Sequence, residues 1–460
     1  MSPTNVILHI ATAMLLAAAF PSAQAQTMSY EYDANGNLTK ATDGLAHVTR
    51  YSYDALNRRI RITDAENGLT RLGYDGLDQV TQVTDPRNLT TLYTIDGAGN
   101  QTALASPDTG NTTRTFDETG NLKTSIDAKG QTTSYQYDVL NRLTRIVYAD
   151  ASMVSYVYDQ GQNSKGRLST IIDPTGSTAF SYDLHGRVTR EVRNIAGQTA
   201  TTTYRYDAAG RLAGITYPSS RSIDYERDGA GRISAISTTR AGVTQVLVNQ
   251  VSYQPFGPVR SLTFGNGKTS ARTQDLDGRI SSYTLNGQPQ NISYDAASRI
   301  SAINDVGNPQ NSISYGYDNL DRLTTYLTPE TAGSYAYDAT GNRTAQTSGS
   351  ASSLNVVQAT TNRLSQARGA PVSTDANGSI VANSNAQFNY DARGRLVSAS
   401  TPIGVVQYQI NGLGQRVQKI TPTEATIFYY DLDGKLIGER SGQNATDYVY
   451  LGDLPVAALR

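Results

Sequence analysis

The feature that most constrains the fold of this chain is a tyrosine–aspartate pair that recurs every 21 residues. Asp96 and Asp117 keep the same phase without the tyrosine. Because each unit of such a repeat must bury its apolar face on its neighbours, the period predicts a repeat array rather than several separate globular cores. The pair stands at Tyr32-Asp33, Tyr53-Asp54, Tyr74-Asp75, Tyr137-Asp138 and Tyr158-Asp159.

One repeat can be interpreted as a β-hairpin. The spacing Tyr135-x-Tyr137 places both rings on one face of a strand. The following aspartate can accept hydrogen bonds from backbone N–H groups of a turn, and glycine or asparagine three residues later tolerates a left-handed backbone. The pattern predicts a type I turn closed by a G1 bulge. The predicted turn residues include Asp33, Gly36, Asp54, Asn57, Asp138, Asn141, Asp207, Gly210, Asp391, Gly394, Asp431 and Gly434.

In such a hairpin, each tyrosine lies opposite the leucine six residues on. Cross-strand aromatic–aliphatic pairs contribute about 0.2–1 kcal/mol each. Arg59 and Arg343 replace this leucine in two units, where a guanidinium can still stack on a tyrosine ring. Ser298 takes the glycine position, where we expect strain or a different turn. The predicted packing residues include Tyr137 with Leu143, Tyr206 with Leu212, Tyr317 with Leu323 and Tyr390 with Leu396.

A second turn, as at Asp64, Asp85, Asp127 and Asp173, follows the second strand of each repeat, so about 20 repeats predict forty or so strands. An open sheet of that size would twist and expose aggregating edges. We therefore expect an all-β array of antiparallel hairpins, coiled into a spiral or a partial hollow shell. The predicted organisation is a signal peptide at 1–25, a repeat array at 26–343, degenerate Ser/Asn/Thr-rich repeats at 344–386, and C-terminal repeats at 387–460.

Composition and motifs exclude several classes of function. The net charge of −1 and the absence of a basic run argue against nucleic acid, and the lack of cysteine excludes disulfides. His47 and His185 are far apart, and Asp275-Leu-Asp277-Gly278 lacks the later ligands of a calcium loop. We expect no cofactor, no metal and no catalytic residue. An apolar segment ending in Ala23-Gln24-Ala25 predicts export with cleavage after Ala25, and no later segment is apolar enough to span a bilayer.

The recurring Tyr-x-Tyr-Asp-x-x-Gly-Arg-Leu, as in Tyr204–Leu212, resembles the YD-repeat or Rhs (rearrangement hot spot) family, which includes the teneurin-like YD-shell. The stretch Tyr448–Val456 is similar to the phrase near the end of that family's core. The resemblance implies a hairpin ribbon wound into a cocoon around a C-terminal toxic domain. In the family, a self-cleavage segment and a toxin follow the core, and we expect this chain to end before them.

Two functions remain open at this point. The first is a non-enzymatic, secreted scaffold that encloses a toxin cargo or a C-terminal core polypeptide. The alternative is a cell-surface or extracellular module that binds glycans or a neighbouring cell through exposed tyrosines. No set of residues supports a hydrolase. The remaining interpretation is a non-functional gene fragment.

Overall fold

The computed structural model describes residues 28–255, 257–285 and 287–460, with only the backbone of Leu285. The predicted signal peptide lies outside the described residues. Within them the chain forms 43 strands and one 3₁₀ turn, Pro309–Asn311. Strands β1–β15 are Ser29–Tyr32, Leu38–Thr42, Val48–Tyr53, Arg59–Thr63, Leu69–Tyr74, Val80–Thr84, Thr90–Ile95, Gln101–Ser106, Gly110–Phe116, Leu122–Ile126, Thr132–Tyr137, Leu143–Val147, Met153–Tyr158, Leu168–Asp173 and Gly176–Tyr182.

The array continues through its middle and C-terminal strands, whose lengths range from 2 to 11 residues. Strands β16–β31 are Val188–Ile195, Gln198–Tyr206, Leu212–Thr216, Ser222–Arg227, Ile233–Arg240, Val243–Tyr253, Val259–Phe264, Thr269–Gln274, Ile280–Leu285, Gln288–Tyr294, Ile300–Asp305, Ile313–Tyr317, Leu323–Leu327, Ala332–Tyr337, Arg343–Ser348 and Ala351–Leu354. Strands β32–β43 are Val356–Val357, Leu364–Ala367, Ala370–Thr374, Ile380–Asn383, Ala386–Tyr390, Leu396–Thr401, Gly404–Ile410, Arg416–Ile420, Ala425–Tyr430, Leu436–Ser441, Asn444–Leu451 and Leu454–Leu459.

Each strand except β31 pairs antiparallel with its successor, which confirms the predicted all-β array of hairpins. The ladder is divided into a 31-stranded and a 12-stranded sheet. The division falls at Asn355, whose backbone N–H donates to the carbonyl of Thr344 and whose Oδ1 accepts the N–H of Arg368. Asn355 therefore ties the two sheets together, and β31 and β32 are the halves of one interrupted strand.

A meander of this kind has two edges, because successive turns lie at opposite ends of the strands. We call one the Tyr-Asp edge, since its turns begin at Asp33, Asp54, Asp75 and their later equivalents. The other, the return edge, carries the second turn of each repeat. In the first half of the chain, the return edge has turns that begin at Asp43, Asp64, Asp85 and Asp127, each closed by a bond from its own N–H to the carbonyl four residues on.

The ribbon coils so that the Tyr-Asp edge of its second pass lies against the return edge of its first pass. We call this contact the seam. The turn between β8 and β9 meets that between β32 and β33, β10–β11 meets β34–β35, and β14–β15 meets β38–β39. Each pair is 24 numbered strands apart, or 23 when β31 and β32 are counted as one. One circuit of the spiral therefore takes about 23 strands.

Hydrophobic burial is concentrated in one part of the spiral. The main cluster joins β17–β22 to the last three strands, with Ile223, Ile236 and Val248 fully buried against Val449 and its neighbours. A smaller cluster joins Ile195 to Val417 and Ile427. Between β1 and β12 the apolar side chains are half-buried or exposed, as in a wall one sheet thick.

Candidate functional site: the Tyr-Asp turns and the seam

The Tyr-Asp turns share one geometry, set by the aspartate. At Asp138, Oδ1 accepts the backbone N–H groups of Leu140 and Arg142, and the main chain closes from Asn141 N–H to the Asp138 carbonyl. Asn141 has a φ of 59°, and the register shifts by one residue before Tyr137. This is a type I turn with a G1 bulge. The equivalent left-handed positions are Gly36, Asn57, Gly210, Gly394 and Gly434.

At Ser298, where we expect strain or a different turn, the structure keeps the same turn with a strained, left-handed backbone. Ser298 has a φ of 62° and donates its N–H to the Asp295 carbonyl at 3.0 Å, as glycine does elsewhere. Its hydroxyl accepts a hydrogen bond from Arg279 of the preceding turn. The aspartate therefore imposes the turn even on a residue for which a left-handed backbone is unfavourable.

The tyrosines lie opposite leucines across each hairpin. Tyr137 faces Leu143, and the same register holds for Tyr206 and Leu212, Tyr317 and Leu323, and Tyr390 and Leu396. Arg59 and Arg343 lie opposite Tyr53 and Tyr337, but each guanidinium stacks on the tyrosine two residues earlier, Tyr51 or Tyr335. The stacking is diagonal because a long side chain reaches past its direct partner.

Two links between successive repeats were not evident from the sequence pattern. The hydroxyl of Tyr158 donates to the carbonyl of Leu143 in the preceding hairpin at 2.9 Å. Direct pairing of β12 with β13 ends at Arg145 and Ser155, so the hydroxyl bridges strands that have separated toward the Tyr-Asp edge. The same bond recurs at Tyr53, Tyr74, Tyr137, Tyr182, Tyr206, Tyr253, Tyr294, Tyr317, Tyr337, Tyr390, Tyr430 and Tyr450.

The second link is the arginine four residues after the aspartate. Arg142 donates from Nε to Oδ2 of Asp138 at 2.7 Å and covers the ring of Tyr158 at 4.4 Å. Equivalent stacking occurs at Arg187 on Tyr206 and Arg299 on Tyr317. Each arginine thus neutralises its own turn and covers the next tyrosine. The Gly-Arg-Leu portion of the repeat was the sequence signal for this role.

These contacts lower the pKa of the turn aspartates. The side-chain hydrogen bond from Thr119 is the largest cause for Asp117, whose pKa falls to about 2. For Asp138 the largest cause is the backbone hydrogen bond from Arg142. Both carboxylates are consequently charged caps at neutral pH, whereas an acid catalyst at that pH requires a raised pKa.

The seam is held mainly by polar groups of the turns. Arg87 donates to the carbonyls of Gln358 and Thr361 and to Oδ1 of Asn362, at 2.7–2.8 Å. Asn362 in turn donates its backbone N–H to Oδ1 of Asp108, and its amide reaches Oδ2 of both Asp85 and Asp108. One asparagine therefore joins two adjacent turns of the first pass.

Further along the seam, the aspartates of the return edge use their second oxygen. Oδ2 of Asp127 accepts the amide of Asn377 at 2.6 Å, and Oδ2 of Asp173 accepts the N–H of Gly412 at 2.7 Å. At the end of the array the carboxylate of Asp447 binds Nε of Arg221 and the hydroxyl of Ser219. Both charged side chains of this pair are more than nine-tenths buried.

One mixed cluster at the seam combines Asp43, His47 and Asp321, with ligand atoms within 4.8 Å of one another. Oδ2 of Asp43 lies 2.9 Å from Nδ1 of His47, in the position that arginine takes in the Tyr-Asp turns. Asp321 accepts a hydrogen bond from Arg299. The cluster is thus explained as a turn cap beside an ion pair. His185 lies in an exposed turn.

Among the described residues, no helix is long and apolar enough to cross a bilayer. The chain matches the family described as Teneurin YD-shell over residues 87–245 and 280–436, and the RHS Repeat family over residues 32–70. None of the curated proteins matches its sequence. The two family matches confirm the resemblance inferred from the repeated motif.

Solved structures with the same fold belong to Tc toxins. A pore-state Tc holotoxin of Photorhabdus luminescens, carrying a substituted TccC3, superposes with a TM-score of 0.75 at 17% identity, over 92% of this chain and 27% of that chain. The TcdB2-TccC3 complex gives a TM-score of 0.71 at 16% identity, over 92% and 30%. This chain therefore spans less than a third of the length of those chains.

Proposed function

Because this chain belongs to the teneurin YD-shell family, we propose that it is a non-enzymatic, exported scaffold whose coiled wall surrounds another polypeptide, such as a toxin segment. The observation that carries this proposal is the circuit of about 23 strands. At about 4.8 Å per strand, the circuit measures about 110 Å, which gives a diameter of about 35 Å. Side chains fill the space between two facing sheets when the sheets lie about 10 Å apart. Subtracting that distance from the diameter leaves a lumen about 25 Å wide.

The accessible surface supports a thin wall. The chain exposes 26595 Å², whereas a compact monomer of this mass exposes about 17,000 Å². The 27 residues before Met28 could contribute only about 4,300 Å² even if fully extended. An excess of about 5,000 Å² remains, as expected for a wall with two accessible faces. The toxin-complex structures that share this fold support the same reading.

A protease-protection experiment tests enclosure. An unstructured Gly/Ser-rich segment with one thrombin site is fused after Arg460, whose carbonyl lies near Arg221 and Arg240 of the wall. We expect cleavage at least tenfold slower than in the free segment. The same fusion carrying Arg221→Ala, which removes the buried partner of Asp447, should be cleaved more rapidly. Cleavage of the parent fusion at the rate of the free segment would contradict enclosure.

A further inference from the structure

A cleft of about 180 Å³ lies between the middle strands and the C-terminal strands of the array. Its walls include Tyr217, Tyr225, Tyr450 and Ile437, and the carboxylates of Asp431 and Asp433 line it. The volume corresponds to about six water molecules, which is close to the size of one arginine side chain. The cleft therefore combines an aromatic lining with negative charge.

Asp431 lacks the side-chain partner that the residue four positions on gives to many turn aspartates, which is asparagine at Asp33, Asp96 and Asp117 and arginine at others. At Asp138, Asp183 and Asp275 the arginine four residues on donates from Nε to Oδ2. At Asp431 this position is Lys435, whose ammonium instead binds Oδ1 of Asp453 and the carbonyl of Gly452, both at 2.9 Å. Asp431 keeps its two backbone caps through Oδ1, from Asp433 and Lys435. The carboxylate of Asp431 faces the cleft without the cation that Asp138, Asp183 and Asp275 have.

The cleft is built to receive a cation. The hydroxyls of Tyr217 and Tyr450 donate to the carbonyls of Tyr448 and Leu436, which fixes both rings in place. Rigid tyrosine rings beside a carboxylate attract ammonium and guanidinium groups. The position beside Asp431 corresponds to that of an arginine in the turns of Asp138 and Asp183, where a guanidinium both binds the aspartate and covers a tyrosine.

The remaining charges around the cleft leave a net negative site. Lys435 is committed to Asp453, and Arg227 donates to the carbonyls of Leu212 and Gly231. The two cations, Lys435 and Arg227, are thus outnumbered by the three carboxylates of Asp431, Asp433 and Asp453. Burial is the largest cause of the raised pKa of Asp431, and the charge of Asp433 adds to it. An incoming cation would offset both effects.

We propose that this cleft binds one basic side chain, arginine or lysine, of the polypeptide that the wall surrounds. The inference rests on the proposed function for the source of that side chain. The chemistry of the cleft does not depend on enclosure, since a capped amino acid in solution presents the same group. A single side chain of this size is expected to bind with an affinity on the order of millimolar.

The test uses the full chain and two matched ligands, N-acetyl-arginine amide and its uncharged isostere N-acetyl-citrulline amide. Saturation-transfer difference NMR titrations to 50 mM measure both dissociation constants. We expect arginine to bind at least tenfold more tightly than citrulline, and Asp431→Asn to remove that preference. The Asp138→Asn variant is the control, because Arg142 already occupies its carboxylate.

The Asp431→Asn variant should fold, because Asn411 already caps a Tyr-Asp turn in this chain, with Oδ1 accepting the N–H groups of Leu413 and Gln415. Circular dichroism checks this point. Equal binding of citrulline, an unchanged preference in Asp431→Asn, or no arginine binding up to 50 mM would each overturn the proposal. Arginine binding together with failure of the protease-protection experiment would retain the cleft and refute enclosure.

Discussion

Two regions of the same repeat array are stabilised in different ways. Between β1 and β12 the wall is one sheet thick, and its contacts with the second pass are hydrogen bonds such as those of Arg87 and Asn362. Between β17 and β22 the wall packs on the C-terminal strands through a buried apolar cluster and the Arg221–Asp447 pair. Turn chemistry thus sets the shape of the ribbon throughout, while side chains between the turns decide where it gains a core.

The largest expected effect comes from the buried ion pair. Arg221→Ala leaves Asp447 charged and buried, which should lower the free energy of unfolding by about 3–5 kcal/mol. Arg142→Ala, at a partly exposed pair in the thin region, should cost only about 0–1 kcal/mol. Urea unfolding followed by circular dichroism measures both, and similar losses would show that the two regions do not differ in burial.

A matched pair of isoleucines tests the apolar core. Ile236 is fully buried, and Ile236→Ala should cost about 2–5 kcal/mol through lost burial and a cavity. Ile62 is half-buried on the thin wall, so Ile62→Ala should cost about 1 kcal/mol. The same urea titrations report the difference. A loss at Ile62 equal to that at Ile236 would refute the single-layer description of the first region.

The seam of the thin region is tested at Asn362. Asn362→Ala removes the amide contacts with Asp85 and Asp108 and leaves both carboxylates less satisfied, at a cost of about 1–3 kcal/mol. Hydrogen exchange should speed up locally, in the turns around residues 85 and 108. Exchange that rises equally around residue 236 would instead indicate that the two regions unfold as one unit.

Acid should distinguish the regions by a smaller effect. Asp117 and Asp138 have lowered pKa values, so their contribution to stability is full above the unfolded value of 3.8 and is lost as the pH falls through the folded value, about 2 for Asp117. Tyrosine fluorescence should therefore report loosening between about pH 4 and pH 2. Asp117→Asn should weaken this pH dependence, and an unchanged acid titration would contradict the assigned role. Asp431, whose pKa is raised, contributes nothing to this loss.

The sequence predicted the hairpin array well, because Tyr137, Asp138 and Asn141 interact within a few residues of one another. The pattern also explains why Asp431 is a turn residue. The repeat pattern could not predict the seam, because Asn362 contacts Asp108 across 254 residues and no local pattern encodes that distance. The second role of each arginine was missed because it acts on the tyrosine of the following repeat. The predicted boundaries at 343 and 386 stay predictions.

The spacing of the seam partners has a consequence for how such a chain can change in length. Asp108 meets Asn362 and Asp127 meets Asn377, each 24 numbered strands later. A hairpin added between β16 and β31 would advance every later turn by one place relative to the first pass, so Asn377 would face Asp150 and lose its acceptor on Asp127. Extra hairpins after β43 would leave all existing partners in phase. The number of repeats can therefore vary freely at the ends of the array. Between the two passes it can change only in steps that bring the seam partners back into phase.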